Sequence, residues 1–215
     1  GSQLVALLLG AKPGEQVVDF CAGAGGKTLA VAATMENKGH VIATDVLAGR
    51  LMRARERFRR AGVHNVQARA LEGESDPWIK RHKGRYDRVL VDAPCTGTGT
   101  WRRNPDMRWR PLGPGLAELA PLQARLLASA SRLVKPGGRL VYATCSMLPA
   151  ENQAQAQTFL AAHPDFEAVD AAEAWRDSVT AIGGPEPPSS PYLSLTPARN
   201  DTDGFFAAIF RRKQA

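Results

Sequence analysis

The side chains in this sequence best suited to covalent chemistry are its three cysteines, Cys21, Cys95 and Cys145. A thiolate is a strong nucleophile once its surroundings favour ionisation. Each cysteine lies just beyond a run that reads as a β-strand: Cys21 after Gln16 to Phe20, Cys95 shortly after Tyr86 to Asp92, and Cys145 directly after Arg139 to Thr144. Taken alone, a buried cysteine is ordinarily a small hydrophobe. Three that share one position relative to three strands point instead to a common edge where a substrate is held. Near them, Asp19-Phe20-Cys21-Ala22-Gly23-Ala24-Gly25-Gly26-Lys27-Thr28 forms a glycine-rich turn between a strand and a helix, where the backbone can approach a ligand closely. The spacing is not that of a phosphate-binding Walker loop, because two residues rather than four separate Gly23 from Gly26. Asp45 ends the next strand, where such folds set an acid against ribose hydroxyls. Together the turn and the acid imply a nucleoside cofactor without saying which.

These residues need a scaffold that aligns strand ends, and the hydrophobic pattern supplies one. Gln16 to Phe20, His40 to Asp45, Asn65 to Ala70, Tyr86 to Asp92, Arg139 to Thr144, Phe166 to Val169 and Phe205 to Phe210 read as seven strands. Lys27 to Met35, the segment from Leu47 with Leu51, Ala54 and Phe58 at helical spacing, Gly115 to Leu133, and Ala150 to Ala162 read as helices. Lys135-Pro136-Gly137-Gly138 reads as a helix stop, and Gly183 to Pro197 as a long surface loop. The alternation predicts an α/β fold with a doubly wound, mostly parallel sheet that binds its ligand at the carboxyl ends of the strands. If the first, fourth and fifth strands are neighbours, a spacing of about 4.8 Å per strand brings Cys95 and Cys145 to one substrate.

With 215 residues and 44% hydrophobic composition, the chain has enough apolar material for one good core, and residues 1–215 read as a single domain. No apolar run is long enough to span a membrane and no leader pattern opens the sequence, so a cytoplasmic protein is expected. An odd cysteine count with two thiols in motifs suits a reducing compartment better than a disulfide framework. The net charge of +7 suits a polyanionic partner. One basic cluster comprises Arg50, Arg53, Arg55, Arg57, Arg59 and Arg60, and another comprises Arg102, Arg103, Arg108 and Arg110. The second is interleaved with Trp101 and Trp109, a combination that serves phosphate contact plus base stacking.

The motifs Asp92-Ala93-Pro94-Cys95-Thr96-Gly97-Thr98-Gly99, Arg102-Arg103-Asn104-Pro105-Asp106, Ala143-Thr144-Cys145-Ser146 and Thr202-Asp203-Gly204-Phe205-Phe206 resemble those of the Sun/Fmu-type (RsmB/Nop) RNA cytosine-C5 methyltransferases. The resemblance covers essentially the whole chain. It implies a seven-stranded, Rossmann-like sheet of the class I methyltransferase type and S-adenosyl-L-methionine as cofactor. It also implies an RNA substrate, ribosomal or else transfer RNA, and a monomeric enzyme that needs no metal. By the same resemblance, Cys21, Ala22, Gly23, Ala24, Gly25, Gly26 and Lys27 hold the cofactor, with Asp45 on its ribose, Arg50 as a further contact, and Asp92 between cofactor and base. Two departures stand out. Gly23-Ala24 replaces the family's usual Ala-Pro, and Glu72 is the only substitute offered for the acid that commonly follows the third strand. The N-terminal RNA-binding region of bacterial relatives is absent from these residues.

Carbon 5 of cytosine is too weak a nucleophile to attack a sulfonium methyl group unaided, and covalent catalysis divides the difficulty. In the family it resembles, the cysteine of the Thr-Cys-Ser motif, here Cys145, adds to carbon 6, while that of the Pro-Cys motif, here Cys95, assists its release. Asp92 would stabilise charge on the base, and Lys27 could favour the thiolate or simply be solvated. Two other readings remain open. In DNA cytosine methyltransferases the Pro-Cys cysteine is the nucleophile and the second motif is not expected, and an RNA-assembly factor would keep the fold without the chemistry.

Overall fold

The computed structural model describes residues 1–109, 113–180 and 190–214. Five parallel strands form the body of one sheet: β1 (Gln16–Asp19), β2 (His40–Asp45), β3 (Val66–Ala70), β4 (Tyr86–Asp92) and β5 (Val134–Thr144). β6 (Phe166–Val169), β7 (Leu193–Leu195) and β8 (Phe205–Arg212) complete it. The spatial order is β3-β2-β1-β4-β5-β8-β6, with β8 antiparallel to β5. β6 and β7 lie along different stretches of the other edge of β8. The sheet therefore has eight strands rather than seven, because β7 arises inside the segment expected to be only a loop. Residues 183–189 of that segment lie outside the described residues.

The strands carry near-continuous apolar runs because both sheet faces are covered. On one face, α1 (Ser2–Leu8), α2 (Gly26–Thr34) and α7 (Ala171–Ser178) pack against Val17, Val41, Leu90, Val141 and Ile209. α3 (Ala48–Arg60) sets Ala54 and Phe58 on Ala43 of the same face, which leaves its arginine-rich side to solvent. On the opposite face, α4 (Pro77–Arg81), α5 (Leu116–Ser131) and α6 (Gln153–Ala162) cover Val18, Val89, Val91, Tyr142 and Phe210. A last short helix, α8 (Pro197–Asn200), precedes β8.

β5 begins five residues before its expected start. Tyr86 pairs with Val134, but Arg88 pairs with Arg139, so β5 advances five residues while β4 advances two. Lys135-Pro136-Gly137-Gly138 is thus an irregularity carried inside a strand, with Gly137 at φ 77° taking the turn that a side chain would resist. Among the described residues no helix is long and apolar enough to cross a membrane.

Candidate active site

The strand order reverses between β1 and β4, so the turns leaving those two strands diverge and open a crevice at their carboxyl ends. A cleft of about 460 Å³ occupies this place. Cys21, Ala22, Gly23, Asp45, Arg50, Asp92, Cys95 and Cys145 line it, joined by the apolar side chains of Leu71, Leu122 and Leu126. Ala24, Gly25, Gly26 and Lys27 do not line it. Gly25, at φ 81°, makes the left-handed entry into α2 instead. Gly23 takes φ 57°, in the left-handed region that favours glycine, and a side chain there would have to push the Arg50 guanidinium aside. Glu72 is not in the wall either; the acid there is Glu74, whose carboxylate accepts from Arg125 at 2.7 Å.

Asp45 is 6% exposed at the tip of β2. One carboxylate oxygen accepts from Gly23 N (2.9 Å) and Arg50 Nη1 (3.4 Å), and the other accepts from Leu47 N (2.8 Å). It thereby pins the glycine loop to the start of α3, and as a carboxylate it has lone-pair capacity left for a ligand hydroxyl. Next to it Val46 and Leu47 are 58% and 56% exposed and both line the cleft, an apolar rim suited to a flat ring.

Below the loop, Asp19 is buried and takes a 2.7 Å hydrogen bond from Thr28 Oγ1, while its other oxygen has no partner. Burial pushes its carboxyl up to about 7, against the Thr28 hydrogen bond. Burial, reinforced by the charges of Asp19 and Asp92, likewise drives the Cys21 thiol well upward. Cys21 therefore serves as a neutral wall.

At the other side of the cleft, Cys95 Sγ and Cys145 Sγ are 3.4 Å apart. The contact with Cys95 pulls the Cys145 thiol below the ordinary thiol range; burial and Asp92 oppose this, and Lys27 assists it. That same contact is the largest reason Cys95 is driven far upward, with burial adding to it. The pair is thus polarised into a proton-holding Cys95 and a thiolate-prone Cys145. Lys27 is not simply solvated. Its side chain is 10% exposed, and its Nζ meets Asp92 Oδ2 at 2.7 Å and lies 5.6 Å from the centre of the Phe205 ring.

A polar scaffold that the sequence reading did not single out holds the two cysteine turns together. Glu151, fully buried, accepts from Thr96 N (2.9 Å), Thr96 Oγ1 (2.5 Å) and Gln123 Nε2 (2.9 Å). Its backbone carbonyl takes the Tyr142 hydroxyl at 2.7 Å. Asn152, its neighbour, bonds Thr144 Oγ1 and the Ser146 carbonyl on either side of Cys145. Ser146 Oγ lies 3.3 Å from Thr96 Oγ1 and 3.2 Å from Thr98 Oγ1. Gly99 N donates to the Cys145 carbonyl at 2.9 Å, and a side chain at Gly99 would collide with that carbonyl and with Gly204. The Pro-Cys and Thr-Cys-Ser turns are therefore one interlocked unit.

The second basic cluster is less free than its composition suggests. Arg103 Nε is 2.5 Å from Asp203, and Arg102 reaches Asp201 and Asp203, so both tie their loop to the turn before β8. Arg108 lies over the rings of Trp101 and Trp109. Arg110 lies outside the described residues.

The family model for 16S rRNA methyltransferase RsmB/F matches residues 6–211. Ribosomal RNA small subunit methyltransferase B of Yersinia enterocolitica is 38% identical over 202 residues, which cover 94% of this chain and 43% of that protein. The crystal structure of PH0851 superposes with a TM-score of 0.87 at 38% identity, covering 98% of this chain and 45% of the other. The crystal structure of NSun6 from Pyrococcus horikoshii with SFG gives a TM-score of 0.81 at 27% identity, covering 100% of this chain and 52% of the other. The chain spans less than half the length of the curated relative it matches.

Proposed function

The chain belongs to the RsmB/F family of 16S rRNA methyltransferases, and from that premise we propose that it methylates carbon 5 of a cytosine in small-subunit ribosomal RNA, acting as a cytoplasmic monomer. The observation that carries this reading is the pair of thiols at the cleft, Cys95 Sγ and Cys145 Sγ 3.4 Å apart on two interlocked turns.

The cleft fits S-adenosyl-L-methionine. Asp45 offers a carboxylate to ribose hydroxyls, Val46, Leu47 and Leu71 offer apolar cover to a purine, and the Cys21 to Gly23 turn leaves backbone within reach. When bound, the cofactor supplies an electrophilic methyl group.

The chain's own residues do the rest. Cys145 Sγ, as thiolate, forms a bond to carbon 6 of cytosine, and the ring electrons displaced make carbon 5 nucleophilic. Asp92, held by Lys27, lies where it can hydrogen-bond the base as charge develops. Once the Cys145 sulfur is bonded to carbon it no longer accepts strongly from Cys95, and the largest cause of the raised Cys95 proton affinity is withdrawn. Cys95 can then release its proton to solvent, and its thiolate takes the proton from carbon 5 of the methylated ring. Loss of the carbon 5 proton restores the ring double bond as the bond from carbon 6 to Cys145 breaks.

Incubating the chain with methyl-labelled cofactor and small-subunit ribosomal RNA, then digesting to nucleosides, tests the reading. Label in 5-methylcytidine is expected; label in another nucleoside alone would overturn it.

A further inference from the structure

Away from the cleft, at the opposite end of the sheet, is a recess of about 690 Å³. Gln16, His40 and Tyr86, the first residues of β1, β2 and β4, mark its position. It exists because α4 is only five residues long and leaves the outer part of this face open over β2 and β3. Gln67 and Arg69 alternate with buried Ala68 in β3 and so point into the gap that α4 leaves.

Five cationic or cation-forming side chains line the recess, Arg69, Arg81, Arg85, His40 and His82, and no carboxylate does. Among the described residues none of the three arginines takes part in an ion pair, and Arg69 Nε is buried with no hydrogen-bond partner. The carboxylate that feels Arg69 and Arg81, Asp76, is already engaged by the backbone N–H groups of Glu72 and Trp78. Trp78 is 4% exposed, with His82 stacked on it at 4.5 Å and the Arg69 guanidinium 5.6 Å from its ring. The recess therefore offers charge and donors rather than a free stacking surface. Three arginines without an ion pair among the described residues, around a recess with no carboxylate in its lining, attract an anion from outside the chain.

We propose that this recess is a second RNA contact, which grips backbone phosphates remote from the target base. The inference rests on the RNA-methyltransferase reading above. β4, which runs from the recess at Tyr86 towards the thiols beyond Asp92, spans about 20 Å over its six intervals of 3.3 Å, so the phosphates held there lie several nucleotides from the modified cytosine. Five cationic or cation-forming side chains around about 690 Å³ are more donors than one free anion needs, which suits a polyphosphate strand better.

The test is Arg81→Gln combined with Arg85→Gln, both residues being exposed and free of ion pairs, with Arg81→Lys plus Arg85→Lys as a charge-keeping control. Affinity for a cytidine-rich single-stranded RNA of about 30 nucleotides is measured from low to high salt. Two lost phosphate contacts should reduce the slope of log affinity against log salt by about 1.4, while the lysine control keeps the slope of the unaltered chain. An unchanged slope in the glutamine variant overturns the recess as an RNA site while leaving the methyltransferase reading intact. If inorganic phosphate raises the Tm of the unaltered chain but not of the glutamine variant, and the RNA slope is unchanged, the site takes free phosphate and the proposal is likewise overturned. Failure of the unaltered chain to bind the RNA at all would count against the functional reading itself as well.

Discussion

Replacing Glu151 by alanine should disable the thiol pair without touching it. Among the described residues the carboxylate receives three hydrogen bonds and no counter-ion, and two of the bonds come from Thr96, next in sequence to Cys95. Truncation leaves Thr96 N without its acceptor and Gln123 Nε2 with only the Pro94 carbonyl. It also removes side-chain volume from a site that is fully buried. At about 1–3 kcal/mol for each stranded donor plus the cavity, offset by the desolvation cost no longer borne by the charge, the loss comes to roughly 3–5 kcal/mol. For a chain of this size that lowers Tm by on the order of 10 °C. Glu151→Gln keeps one oxygen in place, and its amide nitrogen meets a Thr96 hydroxyl that can rotate to accept. It should cost only about 1 kcal/mol, the charge assistance. Urea unfolding gives both stabilities. Methylation assayed well below the alanine variant's melting point, with cofactor binding measured alongside, should show turnover falling in the alanine variant and cofactor affinity held. Equal destabilisation by alanine and glutamine, or full turnover in the alanine variant, would refute the argument that this carboxylate braces the Cys95 turn.

Two further substitutions probe the electrostatics. Lys27→Met removes a charge that lowers the Cys145 thiol and frees Asp92 to raise it, so the acid limb of the kcat/KM pH profile should move to higher pH; an unmoved limb would mean that Lys27 does not act on Cys145. Asp19 has a folded-state value of about 7 against an ordinary 3.8, so the native chain keeps a proton that the unfolded chain releases. Its contribution to stability is therefore lost as pH rises from about 4 to about 7, and Asp19→Asn should flatten unfolding free energy across that window; a slope identical to that of the unaltered chain would contradict the assignment.

The parts of this fold legible in the sequence were those with a one-to-one link between pattern and burial. β1, β2 and β4 are buried on both faces, so their apolar runs stand out, and the cysteines that follow strand ends map directly onto one cleft. Legibility failed where a local signal had two meanings. Lys135-Pro136-Gly137-Gly138 has the composition of a helix stop, yet pairing with β4 carries the strand through it. α4 is too short for a periodic signal, although Asp76-Pro77 spells a capped helix start, with Asp76 accepting from Trp78 N. β7 is three residues long in a Pro- and Ser-rich stretch, and only the edge of β8 makes it a strand. In the site, Glu151 read as an ordinary polar residue at a helix start because nothing local says that its neighbours are buried donors from distant turns. Arg102 and Arg103 read as free cations because their partners, Asp201 and Asp203, lie about a hundred positions away.

The division of labour between the thiols is tested most directly by denaturing gel electrophoresis of Cys95→Ala and Cys145→Ala, each incubated with substrate RNA and S-adenosyl-L-methionine. With the nucleophile intact and release impaired, Cys95→Ala should accumulate a protein–RNA adduct that survives denaturation. Cys145→Ala, which cannot form the bond to carbon 6, should give neither adduct nor 5-methylcytidine. An adduct from Cys145→Ala but not from Cys95→Ala would reverse the two roles, and turnover intact in both without any adduct would contradict covalent catalysis at this site.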